Sequence, residues 1–135
     1  MKKGDCVHMR TPGNPVSHLW IIASDVDSLT DNCVIVNVTT LGHICDKTVI
    51  LHAGDHPCIE HDSVIRYQDA FVTTANAIQA AIRGGAAFPK APCSQPMLAR
   101  VVEGIEKSPD TPLDIQQFCG IPVAKIFPLP KKQMK

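Results

Sequence analysis

The first 74 residues of this chain consist of short apolar segments of strand length, separated by clusters of turn-forming residues. The clearest segment is CVIVNVTT at 33–40, which is rich in the β-branched residues that favour strands. The turn clusters include TPGNP at 11–15 and SDVDSLTDN at 24–32. Short strands joined by short turns predict a small barrel or a strongly curled sheet. The predicted strands are 4–9, 18–24, 33–40, 47–52 and 64–74, the last with a bend near Gln68.

After residue 74 the spacing of the apolar residues becomes helical. Two of the predicted helices follow a residue whose hydroxyl can cap the first turn, and the third follows a proline, whose fixed φ angle suits the first turn of a helix. Two of the helices end at a glycine. The Gly- and Pro-rich segment 84–96 between the first two helices is predicted to be a loop. The predicted helices are 75–83 between Thr74 and Gly84, 97–107 after Ser94, and a short one from Thr111-Pro112 through Phe118, which Gly120 ends.

A length of 135 residues fits one compact domain, and a domain of this size buries about two-thirds of its unfolded surface. Hydrophobic residues make up 44% of the chain, which excludes wholesale disorder. We therefore predict an α+β fold that is mainly β, a small curled barrel of five to six strands with two or three C-terminal helices. This single domain is expected to span 1–120, followed by a basic, proline-containing tail at 121–135.

Charge is balanced overall but unevenly distributed. The 13 basic and 13 acidic residues give a pI near 7.0, which excludes a nucleic-acid binder whose affinity rests on net charge. Segment 25–69 nevertheless holds eight acidic residues against Lys47 and Arg66, a net charge of −6, whereas 121–135 carries four lysines and no acid. Aromatic residues make up only 4%, which argues against a base-stacking platform. RNA binding is therefore expected only where the acidic side chains face away.

The sequence predicts a cytoplasmic protein that neither crosses nor binds a membrane. Its apolar segments all fall short of the roughly 18 residues that a membrane span needs. The opening MKKGDCVHM lacks the apolar run of a secretory signal. In a reducing compartment the six cysteines are expected to be free thiols, most of them acting as small, partly buried hydrophobes. They are Cys6, Cys33, Cys45, Cys58, Cys93 and Cys119.

A cluster of histidines and cysteines at 43–61 contains enough nitrogen and sulfur ligands for a zinc ion. The cluster lacks the tightly paired spacing of structural zinc sites, so the alternative is a set of separate turn and strand-end histidines, each bonded to backbone. We expect no metal or other cofactor. The possible ligands are His43, Cys45, His52, His56, Cys58 and His61.

Two further positions have residue types suited to catalysis. His18 begins the second predicted strand, and Thr39 and Thr40 end the third, so neighbouring strands of a curled sheet would bring them together. A histidine beside hydroxyl groups can transfer protons and bind a phosphate, although a half-exposed edge histidine fits the same pattern. Cys93 precedes the predicted helix cap Ser94, and a helix N-terminus lowers the pKa of a thiol, which makes Cys93 an alternative nucleophile.

The order of these segments resembles that of the MazF/PemK toxins, over about residues 3–108. The resemblance implies a small SH3-like barrel with added helices, usually a homodimer, which cuts single-stranded RNA without a metal ion and is bound by a cognate antitoxin. The segments that match in order and spacing are Gly4-Asp5-Cys6-Val7, Trp20-Ile21-Ile22-Ala23-Ser24, Val34 through Thr40, Val49-Ile50-Leu51, Asp62-Ser63-Val64, Gln68-Asp69-Ala70 and the helix at 97–107.

The resemblance also implies a set of site residues. The family places an arginine before a proline at the start of the second strand, where it serves the cleaved phosphate, and here that position is His18 followed by Leu19. His18 is therefore expected to act as the acid/base, together with a threonine after the third strand, Thr39 or Thr40. Arg10 and Ser17 flank a first loop shorter than the family's, and they are expected to bind RNA phosphate.

Three functions remain open from the sequence. The first is a toxin-like, metal-independent endoribonuclease acting on single-stranded RNA. The second is a non-catalytic barrel module that binds a protein or nucleic-acid partner. The third is a zinc-assisted protein that uses the cluster at 43–61. Replacement of the family's arginine by His18 is compatible with either of the first two functions, because a fold does not determine its chemistry.

Overall fold

The computed structural model describes residues 1–10 and 13–122, and in these ranges the chain forms one antiparallel sheet of six strands with three helices. The spatial order of the strands is β4-β5-β3-β2-β1-β6. The elements are β1 Cys6–Arg10, β2 Ser17–Ile22, β3 Asn32–Thr40, β4 Ile50–Leu51, β5 Ser63–Thr74, α1 Ala75–Arg83, β6 Ala87–Lys90, α2 Gln95–Lys107 and α3 Leu113–Phe118.

The predicted fold class is confirmed: the chain is a mainly-β, α+β half-barrel whose helices follow β5. The bend expected near Gln68 is present as an irregularity in the β3–β5 register. Partners change from Ile35↔Phe71 to Asn37↔Arg66, so two residues along β3 correspond to five along β5. Bulges of this kind bend a strand and increase its twist, which curls the sheet.

The helix caps follow the side chains that the sequence offered. Thr74 accepts a hydrogen bond from the Ala77 amide at 3.0 Å, and Ser94 accepts one from the Met97 amide at 3.3 Å. These bonds satisfy amide groups that have no partner within the first turn of a helix. α1 and α2 therefore begin where local capping chemistry places them.

One strand prediction and one loop prediction were wrong in extent. Segment 47–52 contributes only the short strand β4, because the Asp46 carboxylate accepts hydrogen bonds from the amide and hydroxyl of Thr48 and so closes a local turn. The predicted loop at 84–96 contains β6, which pairs with β1. β6 lies at the edge of the sheet, where Pro89 and its missing amide hydrogen are tolerated. The tail beyond Pro122 lies outside the described residues.

The sheet is buried on both faces around its centre. In β2, Leu19 and Ile21 belong to the larger core cluster, whereas Trp20 and Ile22 belong to the smaller one. Trp20 packs its ring edge-on against Phe71, with the ring centroids 5.2 Å apart. Burial on both faces explains the continuous apolar run of β2, because alternating strands need only one apolar face. Among residues 1–10 and 13–122, no helix has the length and apolar character required to cross a membrane.

α2 packs so closely on β5 that one of its positions has room only for glycine. The buried Tyr67 side chain reaches α2 and donates a hydrogen bond to the Val101 carbonyl oxygen at 2.7 Å. Burial raises the pKa of the Tyr67 phenol, which therefore remains a neutral donor. A Cβ atom at Gly104 would lie 2.6 Å from the Tyr67 ring and 2.7 Å from a Val49 methyl group. Gly104 thus sets the distance between the helix and the sheet.

We predict that Gly104→Ala lowers the free energy of unfolding by about 2–3 kcal/mol, because the new methyl group must displace a packed ring. Gly42→Ala is the control, since a Cβ at Gly42 meets nothing within 4 Å. Urea unfolding of both variants measures the effect. Equal stabilities for Gly104→Ala and Gly42→Ala would contradict the packing described for α2.

Candidate functional site

A cavity of about 220 Å³ opens where β2 begins and β3 ends. Four of the residues predicted from the sequence line it together, namely Ser17, His18, Thr39 and Thr40. Hydrogen-bonding register produces this arrangement. Leu19 of β2 pairs with Val38 of β3 in antiparallel orientation, so the residue before Leu19 and the residue after Val38 lie at the same end of the sheet.

β5 and the loop before it complete the cavity. Thr40 pairs with Ser63 at the start of β5, which brings the preceding residue His61 to the cavity wall. The Thr40 hydroxyl and His61 Nε2 form a hydrogen bond of 3.2 Å. This bond orients the exposed His61 ring relative to Thr40, so the cavity holds a histidine on each side of the β3 end.

The sequence patterns do not predict His61 or His8 as residues of this site, although both line the cavity. In the sequence His61 belongs to the cluster of possible zinc ligands, and His8 lies within the first predicted strand. A usable signal was present for His61, because it lies just before the strand that pairs with the end of β3. His8 has no such signal, since it lies inside the first strand rather than at an end that meets β3.

The cavity wall combines polar and apolar side chains and contains no carboxylate among the described residues. It presents three imidazoles, the four hydroxyls of Ser17, Thr39, Thr40 and Ser63, and the Cys58 thiol. The His18 ring is half-buried, and its Nδ1 atom is enclosed without a hydrogen-bond partner in the described part of the chain. A polar atom that is enclosed without a partner costs stability, and this atom is shielded by the surrounding protein rather than open to the cavity.

Two larger cavities have acidic walls. The cavity of about 620 Å³ is lined by Asp25, Asp27, Glu103 and Glu106, among others. The cavity of about 400 Å³ shares Thr39 with the candidate site and includes Asp46. Burial opposes the ionisation of Asp46, but hydrogen bonds from Ser108 and Thr48 outweigh it and lower the pKa of this carboxyl below its usual range. Asp46 is therefore charged near neutral pH. The cavity of about 400 Å³ also contains Arg66, whereas the candidate site has neither a carboxylate nor a permanent cation among its described lining residues.

Arg10 is placed next to the cavity wall but does not line the cavity. It ends β1 and pairs with Ser17 across the β1–β2 ladder, with an exposed side chain. No lysine or arginine is among the described residues that line the cavity. The structure therefore brings together four of the five predicted site residues, and the predicted phosphate-binding cation lies outside the wall.

The residues of the 43–61 cluster are dispersed among separate local contacts. His56 is buried, its Nδ1 accepts a hydrogen bond from the Cys58 amide at 2.9 Å, and its Nε2–H donates to the Ala91 carbonyl oxygen at 2.6 Å. His52 pairs with Asp62 at 2.9 Å, while the Cys45 thiol bonds the Gly42 carbonyl oxygen. Within residues 1–10 and 13–122, no group of three or more potential ligands is arranged to hold a metal ion.

The cysteines are free thiols, as the sequence predicted. Cys93 is 8% exposed, and its sulfur contacts the sulfur of Cys6. It precedes Ser94, the cap of α2, but it is not presented at the surface in the way that a nucleophile toward a large substrate would be.

No protein-family model matches this chain, and no curated protein matches it in sequence. The functional argument therefore depends on the residues of the site.

We predict that His56→Ala lowers the free energy of unfolding by about 2–4 kcal/mol, because it leaves a cavity and deprives a backbone donor and a backbone acceptor of their partner. His43→Ala, at an exposed position, is the matched control and should change stability by less than about 0.5 kcal/mol. Unfolding is measured with and without EDTA. A loss of stability in wild-type protein on adding EDTA would instead assign His56 to a metal site.

Proposed function

We propose that the cavity between β2, β3 and β5 binds the sugar–phosphate backbone of single-stranded RNA and cleaves it without a metal ion. The observation that carries this proposal is the placement of His18 and His61 with Thr40 in one cavity whose described lining residues include no carboxylate. Histidine is the side chain whose ordinary pKa allows it both to accept and to donate a proton near neutral pH. Two such side chains meet the requirements of acid/base cleavage of RNA.

The chemistry needs one base and one acid. One imidazole removes the proton of the ribose 2′-hydroxyl, and the 2′-oxygen then attacks the adjacent phosphorus. The bond from phosphorus to the 5′-oxygen breaks, and the other imidazole donates a proton to that leaving oxygen. The products are a 2′,3′-cyclic phosphate and a 5′-hydroxyl end, with no change in oxidation state.

The hydroxyl groups have a positioning role in this proposal. Thr40 bonds His61 at 3.2 Å and lies in the same wall as Thr39 and Ser17. Hydroxyls at these positions can donate hydrogen bonds to the non-bridging phosphate oxygens, whose negative charge is spread further in the transition state.

The acidic segment 25–69 does not oppose this use of the cavity. None of its eight carboxylates lines the wall, and Asp62, which follows His61 directly, is bonded to His52. The field at the cavity is set mainly by the nearest groups, because exposed charges are screened over roughly 8–10 Å in physiological salt. The acid-rich middle of the chain and an anion-binding cavity are therefore compatible.

The biological setting that we propose comes from the resemblance in segment order to the MazF/PemK toxins. It comprises a toxin-like role in the cytoplasm, a homodimeric state and inhibition by a cognate antitoxin-like protein. The four-lysine segment 121–135 and the acidic segment 25–69 have complementary charges for contact between two copies.

A non-catalytic binding module is the second candidate, and one observation favours it. The described part of the cavity wall contains no permanent cation, whereas efficient phosphoryl chemistry commonly uses one to neutralise developing charge. A cavity lined by imidazoles and hydroxyls can bind a phosphate or a polar peptide group without cleaving it.

We predict that the protein cleaves mixed-sequence single-stranded RNA in EDTA, and that His18→Ala and His61→Ala each reduce the rate by about 100-fold or more. His43→Ala is the control, because His43 is exposed and does not line the cavity. Thr40→Val should slow cleavage while Thr40→Ser restores it, since serine keeps the hydroxyl. The rate should rise and fall with pH, as expected for one acid and one base.

RNA left intact at high protein concentration would exclude the nuclease and favour the binding module. Cleavage that continues at the wild-type rate in both His18→Ala and His61→Ala would show that these residues are not the catalysts. Circular dichroism of each variant establishes that the fold is retained.

A further inference from the structure

Two buried sulfur atoms that do not line the cavity proposed for RNA face each other. Cys6 Sγ in β1 lies 3.6 Å from Cys93 Sγ, which directly precedes the Ser94 cap of α2. The residues are 2% and 8% exposed and belong to the same core cluster. This is the one sulfur–sulfur contact in the described part of the chain, which includes all six cysteines.

The backbone holds this pair in place. The Cys93 amide donates a hydrogen bond to the Gly4 carbonyl oxygen at 2.9 Å, and the Gly4 amide donates to the Ile22 carbonyl oxygen at 2.8 Å. The segment before α2 is thus bonded to the start of β1, which is itself bonded to β2. A disulfide has an S–S distance of about 2.05 Å, so the two sulfurs, which lie 3.6 Å apart, need to approach by roughly 1.5 Å to form one.

The two thiols are chemically unequal. The hydrogen bond from the Cys6 thiol stabilises the Cys93 thiolate and lowers the pKa of Cys93. The same hydrogen bond, together with burial, raises the pKa of Cys6. Because the thiolate is the nucleophile, Cys93 is the residue expected to react first with an oxidant and Cys6 the one expected to resolve the product.

We propose that Cys6 and Cys93 are a redox modification site, which a hydroperoxide converts to an intramolecular disulfide. The Cys93 thiolate attacks one peroxide oxygen, the O–O bond breaks, and a sulfenic acid forms with release of water or alcohol after protonation. The Cys6 sulfur then attacks the Cys93 sulfur, the S–O bond breaks, and the hydroxyl group leaves as water with the proton of the Cys6 thiol. Two thiols and one hydroperoxide thereby give one disulfide, one water and one water or alcohol.

The disulfide would connect β1 to the start of α2 across 87 positions of the sequence. A cross-link over so long a loop restricts the unfolded chain strongly and should raise Tm by on the order of 10 °C. Under oxidising conditions the site would therefore form a covalent cross-link between the sheet and the segment that starts α2. It does not depend on the function proposed for the cavity.

The test treats reduced protein with one equivalent of hydrogen peroxide, blocks the remaining thiols, and maps peptides without reduction. We expect a Cys6–Cys93 linked peptide, a higher Tm, and reversal of both by dithiothreitol. Cys58→Ser should still give the Cys6–Cys93 linked peptide and the rise in Tm, which makes it the control for the exposed thiol whose charge influences Cys6. Cys93→Ser should lose the linked peptide and the rise in Tm.

The wild-type peptide map decides the question even if Cys93→Ser does not fold. The proposal is overturned if all six thiols are still blocked after peroxide treatment, because no disulfide has then formed. It is also overturned if the disulfide contains Cys58 in place of Cys6 or Cys93. If the oxidised protein has the expected disulfide but an unchanged Tm, the redox site is established and the proposed stabilisation by the cross-link is refuted.

Discussion

The pairing register of β3 is the constraint on which the rest of the structure depends. β3 lies inside the sheet, bonded to β2 on one side and to β5 on the other. Its residues from Cys33 to Val38 are buried on both faces. A slip of one residue would exchange the residues that face α1 with those that face α2 and α3. Because the two core clusters contain side chains of different size, such as Trp20 in one and Tyr67 in the other, only one register packs both.

The candidate site is a consequence of that register. The same pairs that align the core, Leu19↔Val38 and Thr40↔Ser63, also bring the start of β2, the end of β3 and the start of β5 to one edge. The polar residues of the cavity therefore need no separate scaffold, because they continue three strands beyond the buried core. Such an arrangement positions side chains more firmly than a long loop would, since each is one or two residues from a paired strand.

Sequence reasoning found the elements whose causes are local. The caps at Thr74 and Ser94, the β-branched run of β3 and the bend at Gln68 all follow from the residues at those positions. It failed where a distant partner decides the outcome. β6 exists because β1 offers it an unpaired edge, and His61 joins the cavity because Thr40 is its neighbour across the sheet. Neither partner is visible in a short window of sequence. His18 and Thr40 were found together only because strand ends of adjacent antiparallel strands must meet.

His56 takes no part in the proposed reaction, but its hydrogen bonds hold the loop that forms one wall of the cavity. The loop that carries Cys58 and His61 is joined to β5 at one end, while His56 bonds it to the Ala91 carbonyl oxygen 35 positions away. Ala91 lies two residues before Cys93, whose amide is bonded to Gly4 near β1. The wall of the cavity that contains His61 is thus connected to the segment that starts α2 through the hydrogen bond from the His56 side chain to the Ala91 carbonyl oxygen. Since a displacement of about 1 Å is enough to impair acid/base chemistry, the packing of this distant segment is as much a condition for the proposed reaction as the histidines themselves.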